Sequence, residues 1–124
     1  VSNGKHLILD LYGCDPELLN NYEMLEEWLQ TALLMAKATI LRIIGEKFKP
    51  QGVTLLALLA ESHASVHTWP EMEYCAIDLY TCGATTDGKK AADFLKYKLK
   101  AQLSEERELI RSVTPVIGGQ STDQ

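Results

Sequence analysis

The chain of 124 residues predicts an α+β fold, a two-layer sandwich in which helices cover one face of an antiparallel sheet. Three observations lead there. Two stretches, 18–36 and 91–103, carry apolar residues at helical spacing along one side only. Between and around them lie short aliphatic runs punctuated by Gly and Pro, which read as strands, so the order is strand, helix, several strands, helix, strand. Helices on a single face leave the other face of an aliphatic sheet uncovered, and such a surface predicts a partner.

His6 to Tyr12 is the first strand, bounded by Gly4 and Gly13. Asp15-Pro16-Glu17 then marks a helix start, with Pro16 in the first helical position. Leu18, Tyr22, Leu25, Leu29, Ala32 and Ala36 form the apolar stripe of the helix, with Glu23, Glu26, Glu27 and Gln30 between them and Trp28 at the edge of the core. Thr39 to Phe48 reads as a strand, Pro50-Gln51-Gly52 as a turn, and Val53 to Ala60 as a buried aliphatic strand. Tyr74 to Tyr80 is the next clear strand, with Cys75 a small core residue. Asp87 is placed to cap a helix in which Ala91, Phe94, Leu95, Leu99 and Leu103 leave an apolar face for the sheet, while the basic run Lys96, Lys98 and Lys100 forms its solvated side. Glu108 to Val116 reads as a last strand and 118–124 as a disordered tail, so one domain spans residues 1–117.

Twelve basic against seventeen acidic residues give a net charge of -5 with no basic cluster, which argues against nucleic acid as a partner. Three irregularly spaced Cys, no secretory leader and no apolar run of membrane length lead us to expect a reduced, cytoplasmic protein without membrane contact.

The chemistry concentrates between Ala60 and Gly83, AESHASVHTWPEMEYCAIDLYTCG. Ser62 ends an aliphatic strand, where a Ser commonly satisfies local backbone groups. It also has His63 and His67 as candidate bases, the partners a Ser needs to become a nucleophile. No G-x-S-x-G elbow surrounds it, so a Ser-His-Asp hydrolase fits poorly. His63 and His67 stand four apart, but Val66, Thr68, Trp69 and Pro70 favour extended backbone and the Glu of H-E-x-x-H is absent. In a strand, His63, Ser65 and His67 share one face, with Cys82 as a further conceivable ligand. Hydrogen-bonded strand histidines are preferred to zinc, and no metal is expected.

Glu61-Ser62-His63, His67-Thr68-Trp69-Pro70-Glu71 and Thr81-Cys82-Gly83 together resemble the short prokaryotic form of S-adenosylmethionine decarboxylase. The likeness extends through Lys5-His6-Leu7, Tyr12-Gly13-Cys14-Asp15 and Phe48-Lys49-Pro50-Gln51-Gly52-Val53, and so covers nearly all of residues 4–103. It implies an enzyme that makes its cofactor from its own backbone. The Ser62 hydroxyl would attack the Glu61 carbonyl and turn the amide into an ester; elimination assisted by His67 would then cut the chain between Glu61 and Ser62. Hydrolysis of the resulting dehydroalanine would leave a pyruvoyl group in place of Ser62. Such a ketone binds the substrate amine as a Schiff base and takes up the electrons released when carbon dioxide leaves. Cys82 would return a proton to the carbon.

By the same resemblance Phe48 and Trp69 would hold the adenine, and Glu71 would accept hydrogen bonds from the ribose hydroxyls. Thr54 stands where the family commonly has Ser, keeping the hydroxyl of the processing site and adding a methyl. The resemblance further implies a homodimer of cleaved protomers that completes the sandwich and draws its active site from both chains. The expected activity is decarboxylation of S-adenosylmethionine to the aminopropyl donor of polyamine (spermidine) synthesis. Two alternatives remain open at this point: a pyruvoyl-dependent decarboxylase of arginine or ornithine, and a non-enzymatic dimeric binding domain.

Overall fold

A computed structural model describes residues 3–82, 84–117, 120 and 121. Strand β1 (Gly4–Tyr12) leads into a one-turn helix α1 (Pro16–Leu19) and the long helix α2 (Tyr22–Met35). Three strands follow, β2 (Ile40–Lys47), β3 (Val53–Leu59) and β4 (Ser62–Trp69), then a 3-10 turn at Pro70–Met72 and strand β5 (Tyr74–Thr81). Helix α3 (Gly88–Lys98), strand β6 (Leu103–Arg111) and a small pair, β7 (Val116–Ile117) and β8 (Gln120–Ser121), complete the chain.

The six long strands form one sheet in the order β2-β3-β4-β5-β1-β6, every neighbour antiparallel. Alternation along each strand separates two faces. Leu7, Leu9 and Leu11 of β1, Val53, Leu55 and Leu59 of β3, Val66 of β4 and Ile77 and Leu79 of β5 are buried under the helices, against Leu25, Leu29 and Leu33 of α2 and Leu95 of α3. The opposite face carries no helix among the described residues, and Ile44, Leu56, Leu58 and Leu109 are about half exposed or more upon it. The α+β sandwich with helices on one face is therefore the architecture of this chain.

The expected single helix from Leu18 to Ala36 is broken at Asn20-Asn21. Asn20 Oδ1 accepts from the Gly52 N–H at 3.0 Å and so ties the break to the β2–β3 turn. Asn21 Oδ1 accepts from the Met24 N–H at 3.1 Å and caps a new helix. The cap foreseen at Asp15 is present, its Oδ1 accepting from the Glu17 N–H at 3.0 Å. Asp87 occupies the cap position of α3 without a side-chain capping bond.

Leu103, expected on the sheet-facing stripe of the last helix, instead opens β6 opposite Tyr12. The helix stops at Lys98 because Lys100 adopts a left-handed φ of 55°, with Lys100 N–H donating to the Tyr97 carbonyl and Ala101 N–H to that of Lys96. This closed stop most often uses Gly. Helix α2 ends in the same way, on Lys37 at φ 64°. The last long strand consequently runs over Leu103–Arg111 rather than from Glu108 to Val116. Within the stretch expected to be a disordered tail, Gln120–Ser121 pairs with Val116–Ile117; the remainder, 118, 119 and 122–124, lies outside the described residues. No helix among the described residues is long and apolar enough to cross a membrane.

Candidate active site

Strand β4 carries the candidate residues Ser62, His67 and Trp69 and has two distinct ends. Ser62 pairs with Thr81 at one, and Trp69 pairs with Tyr74 at the other. His67 sits five residues beyond Ser62, about 17 Å of extended strand, and the odd spacing turns their side chains to opposite faces. Ser62 and His67 of one chain therefore do not meet.

At the Ser62 end, Cys82 follows directly on Thr81 and so lies at the same margin of the sheet. It is half-buried, whereas Cys14 and Cys75 are fully buried and all three are free thiols. Burial pushes the Cys14 thiol up to about 11 and raises that of Cys75 well above its ordinary value, so both are poor nucleophiles or proton donors near neutrality. Accessibility leaves Cys82 as the thiol suited to chemistry. Gly83 of the same motif lies outside the described residues. Glu61 Oε1 accepts from the Thr39 N–H at 2.9 Å, a bond that holds the Glu61 carboxyl below its ordinary value and ties the loop before Ser62 to the start of β2.

The open face beside Ser62 carries a polar cluster that sequence reading did not assemble. His6 of β1 and His63 of β4 both reach Asp78 of β5, Nε2 to Oδ2, at 2.7 and 3.3 Å. Ser65 donates to the other Asp78 oxygen, and Ser62 Oγ lies 3.3 Å from His63 Nδ1. Burial pushes the Asp78 carboxyl up, but the hydrogen bonds from Ser65 and His6 and the two nearby imidazoles outweigh it, and the group is held below its ordinary value. Tyr80 packs on both imidazoles and under the Arg111 guanidinium, 4.7 Å from the ring centre. The signal was present in the sequence: Asp78 interrupts an apolar strand and shares its parity with Tyr74 and Tyr80. What sequence could not supply was the pairing that sets β5 between β1 and β4.

At the far end, His67 Nδ1 and Thr54 Oγ1 are 3.1 Å apart across the β3–β4 pair. Trp69 stacks on Tyr74 at 5.3 Å between ring centres, and Tyr74 stacks on Tyr12 at 5.4 Å. With Met72 these three rings line a shallow apolar groove. The Tyr74 hydroxyl donates to Asp10 Oδ1 at 2.6 Å, which together with burial raises its pKa and fixes the middle ring. Glu71, in the 3-10 turn just after Trp69, is exposed. Phe48 follows directly on β2 at the same margin and is 48% exposed, so its ring is available and is not core. Phe48 and Trp69 make no ring contact with each other among the described residues.

His63, Ser65 and His67 do share one strand face. The metal arrangement weighed from sequence, His63 with His67 and Cys82, is not assembled: among the described residues His63 groups with His6 and Asp78, with ligand atoms within 4.8 Å of one another. Each of those atoms is already in a carboxylate–imidazole hydrogen bond.

A one-sided α+β sandwich with a serine, a thiol and an aromatic groove on the margins of its sheet defines the class. A crystal structure of the adenosylmethionine decarboxylase from Aquifex aeolicus superposes on the chain with a TM-score of 0.85 at 32% identity, covering 96% of this chain and 98% of the other. The S-adenosylmethionine decarboxylase family model matches residues 5–112. S-adenosylmethionine decarboxylase proenzymes of Synechococcus sp. (strain WH7803) and Caldicellulosiruptor saccharolyticus are 46% and 40% identical, over 92% and 89% of this chain and 89% of each relative. The chain belongs to the S-adenosylmethionine decarboxylase family.

Proposed function

We propose that this chain is a self-cleaving proenzyme which, once cut between Glu61 and Ser62, decarboxylates S-adenosylmethionine to the aminopropyl donor for polyamine synthesis. The reading rests on family membership across residues 5–112, and the placement of Ser62 beside Cys82 supports it. A pyruvoyl group made from Ser62 fits that position: the residue is only partly buried at a strand end, and no core packing would have to be vacated. When formed, the group supplies an electrophilic ketone that accepts the electrons of decarboxylation.

The chain's own side chains do the rest. Cys82 delivers the proton to the carbon that loses carbon dioxide. Trp69 and Phe48 hold the adenine, the Tyr74 and Tyr12 rings stiffen that groove from below, and Glu71 accepts from the ribose hydroxyls. His67, positioned by Thr54, assists the elimination that releases Glu61.

Because His67 and the aromatic groove lie a strand length from Ser62, one chain does not bring all these groups to one site. A second copy, seated on the uncovered sheet face with its strands reversed, would bring its own His67 end to the first copy's Ser62 end. The half-exposed Ile44, Leu56 and Leu58 supply the apolar contact for such a dimer. The dimer and its shared site are part of the proposal. The alternatives of a basic amino acid decarboxylase and a binding domain gain nothing from the relatives, which are named S-adenosylmethionine decarboxylase proenzymes.

Intact mass of the purified protein tests the first step: two fragments, 1–61 and 62–124, are expected, the second blocked to amino-terminal sequencing. Carboxyl-labelled S-adenosylmethionine, arginine and ornithine, offered separately, test the second. Release of label from S-adenosylmethionine is expected; faster release from either amino acid would overturn the substrate, and a chain that stays whole would overturn the cleavage.

A further inference from the structure

The side chain that touches the Ser62 hydroxyl within the chain is His63, not His67, and His63 is held by a carboxylate. We propose that His63 is the base that starts self-cleavage, with Asp78 as its positioning residue. The inference rests on the proposed self-cleavage and adds a residue to it.

The tautomer follows from the contacts. Asp78, its carboxyl held ionised, can only accept, so the His63 Nε2 facing its Oδ2 at 3.3 Å carries the proton. In the neutral imidazole that tautomer leaves a lone pair on Nδ1, 3.3 Å from Ser62 Oγ. His6 Nε2, at 2.7 Å, and the Ser65 hydroxyl donate to the same carboxylate and hold it in place. The side chain of Asp78 is 26% exposed and that of His63 48%, so the carboxylate is the more enclosed of the pair. Serine, imidazole and carboxylate thus follow one another as a general-base relay requires.

The step balances without any outside reagent. Ser62 Oγ gives its proton to His63 Nδ1 as it bonds to the Glu61 carbonyl carbon. The bond from that carbon to the Ser62 nitrogen then breaks, and the nitrogen takes the proton back from His63. An amide has become an ester and an amine, with no atom gained or lost. His67 is left the separate task of eliminating the ester, so the two histidines act in sequence.

That sequence makes the two variants distinguishable, because hydroxylamine cuts esters and leaves amides. Nascent wild-type, His63→Gln and His67→Ala proteins would be followed by denaturing electrophoresis and intact mass, with and without hydroxylamine, and checked for folding by circular dichroism. His63→Gln is expected to cut about 100-fold more slowly than wild type and to resist hydroxylamine, whereas His67→Ala should stall as the ester and be cut by it. Asp78→Asn, which leaves the shape but favours the wrong tautomer, should slow cutting in the same hydroxylamine-resistant way and decides the matter if His63→Gln does not fold. Cutting at the wild-type rate in either variant, or an ester accumulating in His63→Gln, would overturn the role of His63. Failure of the wild type to cut would instead overturn the self-cleavage itself.

Discussion

The two ends of β4 differ in almost every property that matters to a reaction. The Ser62 end is polar and fastened: Ser65 and two imidazoles bond to one carboxylate, Ser62 and Tyr80 contact the imidazoles, and a half-buried thiol lies alongside. The Trp69 end is aromatic and open, a stack of three rings beside an imidazole whose bond is to a threonine. On the proposed function, the first end carries the attacking serine and the proton-donating thiol, and the second holds the adenine and lends His67 to the cleavage. Their separation by a strand length is what makes the proposed pairing of two chains necessary: only a second copy would bring one end to the other.

The largest effect expected from breaking this division is at Cys82. Cys82→Ala should still cut between Glu61 and Ser62, because its thiol is absent from the cluster on Ser62, yet decarboxylation should fall by about 100-fold or more, as for a lost general acid. Label release per cut chain measures it, and full turnover by the cut variant would remove the thiol from the chemistry. Glu71→Gln acts at the other end and should leave cutting untouched. A charge-assisted hydrogen bond is worth roughly 1.5–3 kcal/mol, so kcat/KM for S-adenosylmethionine should drop by about 10- to 150-fold. A variant that cuts poorly but binds normally would place Glu71 at the wrong end.

The smallest effect is on stability. The folded Asp78 carboxyl titrates below its ordinary value. Its contribution is therefore complete above the ordinary carboxylate range and is lost as pH falls through the depressed folded value. Melting temperature should fall as pH is lowered through that acid window, and less steeply in Asp78→Asn, which has no carboxyl there to titrate. Identical slopes would mean that the cluster adds no stability through its charge.

Sequence made the two ends legible to different degrees. Ser62, His67, Trp69 and Cys82 could be read because they sit in short contiguous motifs, and β4 could be read as extended from Val66, Thr68 and Pro70. The polar cluster could not, since His6, His63 and Asp78 come from three strands whose adjacency depends on β1 returning to pair with β5. The sandwich followed from apolar spacing, but the helix ends did not. Lys37 and Lys100 take the left-handed backbone that usually announces itself as Gly, and without that signal Leu103 reads as one more helical position. Asn20 and Asn21 are ordinary polar residues until the β2–β3 turn arrives to bond the first of them.

If the two ends work together across two chains, mixing two inactive variants should restore cutting. Ser62→Ala carries an intact His67 but has no hydroxyl to attack, and His67→Ala carries an intact Ser62 but no group to eliminate the ester. The His67→Ala chain would be mass-tagged, co-expressed with Ser62→Ala, and examined by intact mass. The tagged chain should be cut when the second variant is present and remain uncut alone; a tagged chain that stays whole in a demonstrated mixed dimer would contradict a site shared between protomers.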